Sequence, residues 1–583
     1  MNSAQPLLLA QGLLQDPGAA ALVIGVTGHR DPRPETVPVV RENTRRQLRQ
    51  LMAALPHTPL VMLNGMAAGI DTEIDEEFLA VVEQQRINAL SVQPLPRHQL
   101  VATLPKLPDD FRRDFDGDAP GLQRFEALLP RADAVLHPGN CQELRIPPLP
   151  PGHTPSSTDP TPYAQQGVFV ARHCYLLLAY YDGVDTQLMG GTAQVVSIQR
   201  EEIYPLFVNV AEVAASREPA ALICHGTPRI KHPIPKQQLG EIRYWPLNGT
   251  PNELLTADPT IPEALLQLPR QLEAINRQVA APDLKAAEEP EGLHTRLHAA
   301  LSETAGALKQ QHLRLIQLVV LLGFALIVIA ERLEQERGWF GVFLLVVLAS
   351  LAWLPRLQQN SKERFIEKRS LVECLAVQYL WSAVGVELDT ADLFHVRNHN
   401  QLRIARMILR AVKVQLLALY CQEQRPMQEA MAQARRWLER QVNFLEGRIK
   451  VFRLHNRRCR HAAWLMGAGA AAFGFAPLLP DTPDNLYVVA IALLAASASV
   501  YAYGELIGYE ETANRYERSL EQFRRGVVAL ELLKAGEAGS LGADPADPWL
   551  RHRIVMEAMG REKLDELNDW IADQIQRIHR PGG

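Results

Sequence analysis

Four apolar segments, Leu315–Ala330, Trp339–Leu354, Ala462–Leu479 and Leu486–Tyr503, constrain this chain more than any other feature. Each is roughly 16 to 18 residues long, just short of the about 20 that span a bilayer core, and flanking Arg and Trp side chains reach the interface to make up the difference. They form two close pairs, joined by ERLEQERG and PDTPDN. Connectors this short make hairpins, so both ends of each pair lie on one side. Arg448, Lys450, Arg453, Arg457, Arg458 and Arg460 precede the third segment, and Arg356, Lys362, Arg364, Lys368 and Arg369 follow the second. PDTPDN carries no basic residue. By the positive-inside rule the large parts face the cytoplasm. Buried helices of a soluble bundle would be as apolar but would not need this matched charge asymmetry.

At 583 residues the chain exceeds what one hydrophobic core supports, which predicts two or three domains. A formal net charge of -5 argues against a global nucleic-acid binder, so any basic surface is local. Cys141, Cys174, Cys224, Cys374, Cys421 and Cys459 show neither CxxC pairs nor metal-ligand spacing, as expected in a reducing compartment without a metal site. The leucine-rich N-terminus lacks a basic n-region and reads as a tail, not as a cleaved signal peptide.

Up to about residue 250, short apolar runs alternate with helical patterns. ALVIGVTG (21–28), PLVMLNG (59–65), INALSVQP (87–94), YLLLAYYDG (175–183), YPLFVNV (204–210) and AALICHG (220–226) read as strands. Buried strands separated by helices predict a Rossmann-like α/β domain whose parallel sheet is covered on both faces, with ligands at the carboxyl ends of its strands. The Pro-rich stretch 137–163 reads as a long excursion over that edge. The expected organisation is a tail over 1–19, the α/β domain over 20–250 and a linker over 251–291. An all-α membrane region follows: a helical region with the first hairpin over 292–385, cytoplasmic helices over 386–461, the second hairpin over 462–503 and cytoplasmic helices over 504–583.

Three turns in the α/β domain carry the chemistry. GVTGHRDP ends the first strand, where Gly25 and Gly28 let backbone amides approach an anion and Thr27, His29 and Arg30 add donors. NGMAAGID follows the second strand, with small residues at Gly65 and Gly69 and with Asp71 at a helix start, where it caps the helix or accepts a ribose hydroxyl. LMGGTAQVV places Gly190, Gly191 and Thr192 ahead of a helix, whose dipole and free amides favour a phosphate.

These motifs, with YAQQGVFVARHCYLLLAYYDG between them, resemble the SLOG superfamily, named for the DNA-processing Smf proteins and the Lonely Guy enzymes. The resemblance covers roughly residues 20–250. It implies a modified Rossmann fold that binds a nucleotide or nucleotide-derived signal, some members serving bacterial antiphage systems. It also implies a pocket lined by Gly25, Thr27, Gly28, His29 and Arg30, flanked by Gly65, Gly69 and Asp71 and closed by Asp182, Gly183, Gly190, Gly191 and Thr192, with Tyr163 and Arg172 as further contacts. RFIEKRSLVECLAVQYLWSAVGV (364–386) and YEETANRYERSLEQF (509–523) resemble helices flanking the membrane hairpins of SLOG-associated, SLATT-like effectors. Those effectors are inferred to permeabilise the membrane when their sensor is occupied.

Lonely Guy enzymes use a P-G-G-x-G-T-x-x-E pattern whose glutamate assists departure of the base. Three positions after Thr192 this chain has Val195, which cannot carry charge or move a proton. The resemblance thus implies a ligand sensor with no catalytic residue and no cofactor beyond its signalling ligand, placed in the bacterial inner membrane. Its expected partners are a nucleotide-derived messenger, an upstream enzyme that makes it, the lipid bilayer and further copies of the chain; nucleic acid is not expected. A membrane-anchored nucleosidase, NAD-cleaving enzyme or Lonely Guy-like phosphoribohydrolase is the first alternative, with His29, His173 and Asp182 as acid/base groups. A Smf-like single-stranded DNA-handling protein is the second, against which aromatic residues are sparse around the basic run near 450.

Overall fold

The computed structural model describes residues 19–88, 96–138, 159–186, 188–201, 220–231, 234–247, 252–281, 296–333, 362–393, 403–421, 427–475, 486–536 and 549–579. The apolar segment 339–354, most of both hairpin connectors, most of 137–163, the expected strand 204–210 and the tail up to residue 18 lie outside them. Two compact units result: residues 1–301 with 371–430, and 302–370 with 431–583.

The first unit is built on an eight-stranded sheet. Its strands are β1 (Leu22–Gly28), β2 (Leu60–Asn64), β3 (Gln99–Thr103), β4 (Ala134–Leu136), β5 (Leu176–Tyr181), β6 (Ala221–Gly226), β7 (Ile242–Leu247) and β8 (Asn252–Thr256). The spatial order is β4-β3-β2-β1-β5-β6-β7-β8. From β4 to β6 every pairing is parallel, and β7 runs antiparallel to both β6 and β8. The sheet is therefore mixed where the sequence pattern predicted a parallel one. The chain passes from β6 to β7 to β8 without a crossover helix, and an antiparallel neighbour needs only such a direct return. β8 and a following helix also occupy the stretch expected to be a linker. Ile87 and Asn88, expected to open a strand, instead end a helix, and β3 starts later, at Gln99.

Helices α1 (Thr36–Ala54), α2 (Ile70–Asn88), α3 (Ala119–Leu128), α4 (Thr161–His173), α5 (Thr192–Glu201) and α6 (Glu263–Val279) flank the strands. On α1 the buried positions Val40, Thr44, Leu48, Leu51 and Met52 recur at helical spacing and make one stripe toward the sheet. Leu22, Val23 and Ile24 of β1 and Val61, Met62 and Leu63 of β2 are all buried, because these central strands are covered on both faces. Pro269 inside α6 has no N–H to give the carbonyl of Leu265, and the Tyr175 hydroxyl donates to that oxygen instead, at 3.2 Å.

Later in the chain come α7 (Arg296–Leu333), α8 (362–384) and α9 (Arg403–Cys421). Ala411, Val414, Leu417 and Ala418 of α9 share one buried cluster with Val23, Val61 and Leu177 of the sheet. A segment read from its pattern as part of the helical half thus completes the α/β core.

Among its described residues the second unit is helical throughout, with most of α7, α10 (Met427–Phe475), α11 (Leu486–Ile507), α12 (Tyr509–Gly536) and α13 (Leu550–His579). Among the described residues one stretch, Leu486–Leu533, is long and apolar enough to cross a membrane, and 6% of its apolar window is buried. The core helix of a water-soluble bundle would hide that window; here Leu494, Tyr501 and Leu506 stand in the open. The end of α10 runs antiparallel beside α11, with Ser497 Oγ donating to the Ala463 carbonyl at 2.7 Å and Gly467 lying against Ser497.

Candidate functional site

The chain leaves β1 on one side toward β2 and returns on the other side as β5, so adjacent strands β1 and β5 send their following loops in opposite directions. A crevice opens at such a switch point. Here it is a cleft of about 570 Å³, bounded by the loop after β1, the start of α2, the start of α4 and the turn before α5. That volume suits a nucleotide-sized ligand.

Nine of the expected residues line this cleft: Thr27, Gly28, His29, Arg30, Asp71, Tyr163, Gly190, Gly191 and Thr192. Six do not. Gly25 packs inside the domain, where a Cβ would stand 2.7 Å from Val170 Cγ1 and 2.9 Å from Cys174 Sγ, so it sets the approach of α4 to β1. Gly65 faces the Gln166 side chain. Gly69, at φ +91°, lets the loop after β2 rest on the backbone of His29 and Arg30, and Ile70 N–H donates to the His29 carbonyl at 3.1 Å. Gly183 packs against Lys236, and Asp182 sits behind His29. Arg172 is buried in an ion pair with Asp392 and never reaches the cleft. Its partner lies in a segment that sequence spacing could not connect to it. His173 is also remote, buried with its Nδ1 against the Phe169 carbonyl, and burial together with the charges of Lys413 and Arg172 pushes its pKa well down.

The glycine turn also differs in detail from its expected role as an anion cradle. Gly190 N–H donates to the Gln194 side chain at 2.6 Å and Gly191 N–H to the Leu188 carbonyl at 3.1 Å, so both amides are engaged within the turn. Gln194 and Val195 N–H both reach the Gly191 carbonyl, which leaves Thr192 and Ala193 as the first-turn amides of α5 without an intrahelical acceptor. The anion-attracting end of the helix is thus shifted past the glycines. Thr192 Oγ1 fastens the turn to β1 by donating to the Gly28 carbonyl at 3.0 Å. Val195 lines the cleft and lies against Gly167.

Further charged residues line the cleft that the motifs did not single out: Asp31, Lys106, Asp114, Arg229 and Lys231. Lys106 and Asp114 follow β3, which the apolar pattern misplaced. Arg229 and Lys231 follow β6, a strand that was legible, so the rule that ligands sit at carboxyl ends would have found them. Lys106 Nζ lies 2.8 Å from Asp114 Oδ1, and Tyr163 donates its hydroxyl to the other Asp114 oxygen. Arg30 and Lys106 flank the Tyr163 ring, at 5.4 and 5.0 Å from its centroid. Arg229 pairs with Asp31 at 2.8 Å.

The chain matches no protein-family model, no curated protein and no solved structure.

Two carboxyls at the site diverge in acidity. Burial pushes Asp71 up to about 7, although the charge of Arg30 and the amides of Ala67 and Gly28 pull the other way. Asp182 is held below the ordinary carboxylate range: burial opposes ionisation, but hydrogen bonds from His29 and the Val184 N–H, with Arg229 nearby, outweigh it. His29 Nε2 stands 3.3 Å from Asp182 Oδ1 and 3.2 Å from the Asp182 backbone nitrogen, which holds the ring against the wall of the cleft. Among the described residues no cluster of His, Cys, Asp and Glu could hold a metal ion.

Proposed function

We propose that this protein is a membrane-embedded receptor whose α/β unit binds a nucleotide-derived anion, and that binding rearranges or assembles its transmembrane helices so that the bilayer is breached. The observation that carries this reading is the cleft at the switch point, where Arg30, Lys106, Arg229 and Lys231 outnumber Asp31, Asp71 and Asp114 beside the start of α5, in a chain that also holds an apolar helix with its surface exposed. Val195 supports sensing over cutting, since the position where the Lonely Guy pattern has its acid carries an apolar side chain packed on Gly167. The resemblance to SLOG and SLATT-like proteins extends the reading to an antiphage effector in the bacterial inner membrane. There, residues 315–330 with 339–354 and 462–479 with 486–503 form two hairpins, and a separate enzyme makes the messenger. Energetically, the ligand has to bind the assembled state more tightly than the resting one, and only that difference shifts the equilibrium. A ring of several subunits is the simplest way for such helices to enclose a path.

Reconstitution of the full chain in dye-loaded vesicles tests the proposal. Small-molecule extracts from infected cells are expected to release dye and extracts from uninfected cells to leave it inside, with the response abolished in a double Arg30→Ala, Lys106→Ala variant. No release with either extract overturns it.

The carboxyl of Asp71, poised near neutrality on the cleft wall, favours a second reading as a nucleosidase in which Asp71 protonates a departing base. Release of free base from nucleotides by the wild type, lost in Asp71→Asn, would establish that reading in place of the first.

A further inference from the structure

The basic run that precedes the apolar part of α10 divides into two sets of arginines. Arg453 and Arg460 turn toward α12, where they pair with Glu517 at 2.5 Å and Glu510 at 3.6 Å. Arg457 and Arg458 are exposed and have neither an ion pair nor a hydrogen-bond partner among the described residues. Arg457, His461, Trp464 and Leu465 recur at helical spacing and form one face, which Arg458 borders. All are exposed, Trp464 by 71% and Leu465 by 64%, because α11 packs on the opposite side of the helix, where Ala463 and Gly467 meet Ser497. Within about 10 Å of helix this face passes from guanidinium to aromatic and aliphatic surface. α11 changes character at the same height. Gly504, at the end of its apolar stretch, lies against Cys459, and beyond Gly508, at φ +69°, α12 opens with Tyr509, Glu510 and Glu511. A level at which both helices pass from charged to apolar surface is the depth of lipid headgroups.

Every phospholipid offers a guanidinium a phosphate, which it holds through paired N–H···O bonds. In a zwitterionic headgroup the attached ammonium cancels the phosphate charge. In an anionic one the charge stays net, and each arginine near such a surface gains about fivefold in association. Arg453 and Arg460 already have carboxylates, so this attraction falls on Arg457 and Arg458. We infer that the exposed face of α10 from Arg457 to Leu465 is a docking site for anionic phospholipid, with Arg457 and Arg458 on the headgroup phosphate and Trp464 and Leu465 against the acyl chains. The inference rests on the membrane reading above and names the headgroup chemistry within it. Single-stranded nucleic acid is the other polyanion that carries this charge, but the aliphatic surface directly beyond the arginines matches an acyl chain and not a sugar-phosphate backbone.

Electron spin resonance on the full chain in phosphatidylcholine bilayers tests this, with a trace of spin-labelled phosphatidylglycerol or spin-labelled phosphatidylcholine reporting the lipid immobilised at the protein. The wild type is expected to prefer phosphatidylglycerol by about fivefold or more at low salt, and the preference to shrink as salt rises. A double Arg457→Gln, Arg458→Gln variant should lower the preference to about twofold or less. A double Arg86→Gln, Arg270→Gln variant, which removes the same charge from exposed side chains of α2 and α6, should leave it intact. If neither label is immobilised, the membrane reading fails and this inference falls with it. If lipid is immobilised without preference, or the preference survives in the first variant or drops as far in the second, the inference is overturned while the membrane reading stands. A single-stranded oligonucleotide that competes with phosphatidylglycerol, and whose binding is lost in the first variant, would assign the face to nucleic acid and also overturn the inference.

Discussion

Gly190 and Gly191 are neighbours in one turn, yet the structure assigns them opposite sensitivities. Gly190 has φ +75°, and a Cβ on it would lie 2.4 Å from Tyr163 Cβ and 2.7 Å from Ala164 N. Left-handed backbone costs a residue with a Cβ about 1–2 kcal/mol. Forcing α4 or the turn to move adds about 1–3 kcal/mol of overpacking. Gly191 lacks a left-handed φ, and the closest atom to its Cβ would be the Leu188 carbonyl oxygen at 3.2 Å, a contact that a small adjustment relieves. Gly191→Ala should therefore stay within about 1 kcal/mol of the wild type, helped by reduced freedom of the unfolded chain. The assay is thermal unfolding of the full chain in detergent micelles, paired with pyrophosphate calorimetry. Gly190→Ala should lower the melting transition and, by displacing the start of α5 along with the Gly190–Gln194 hydrogen bond, weaken pyrophosphate binding by about 30-fold, equivalent to about 2 kcal/mol. Equal effects of the two substitutions, or a larger effect at Gly191, would refute the geometric argument.

Other expectations follow from individual contacts. Asp71 has an ordinary value of 3.8 and is raised to about 7 in the fold, so the stability it contributes is fully present below pH about 4 and is lost as pH rises through about 7. The stability of the wild type relative to Asp71→Asn should fall across that window by up to about 4 kcal/mol, read by chemical denaturation; a difference that does not vary with pH contradicts this. Asp392→Ala leaves Arg172 and Arg410 buried without that carboxylate and should destabilise by about 3–5 kcal/mol while sparing pyrophosphate affinity below the melting transition. Loss of affinity without loss of stability would instead return Arg172 to the site. Leu494 is 60% exposed on α11, and Leu494→Arg should cost about 2.5–3.5 kcal/mol of insertion if that surface meets lipid. Alkaline carbonate should then extract the variant but not the wild type, and extraction of the wild type would sink the membrane assignment.

Much of the candidate site was legible because its signals are local. A glycine at a strand end, a helix starting at Thr192 and an acid at the start of α2 can each be read within a few residues, and all three turns meet at one cleft. Strands β1, β2, β5 and β6 were legible as short apolar runs bounded by turn residues. β4, with three residues, and β8, an edge strand with Leu254 and Leu255 exposed, carry too little apolar pattern to be seen.

The amino-acid sequence by itself determined the alternation of strands and helices, the glycine-bearing turns and the apolar helical stretches, since each depends on side chains close together along the chain. Tertiary structure alone decided the rest. Strand order brings Lys106 and Arg229 from two separate loops, and Tyr163 from the start of α4, to one cleft. The packing of α4 leaves no space for a Cβ at Gly190, while at Gly191 the nearest atom is the Leu188 carbonyl oxygen. Arg172 is held away from the cleft by a carboxylate 220 positions along the chain. Charge and burial act through space, and a folded chain makes distant residues neighbours that no spacing along it can reveal.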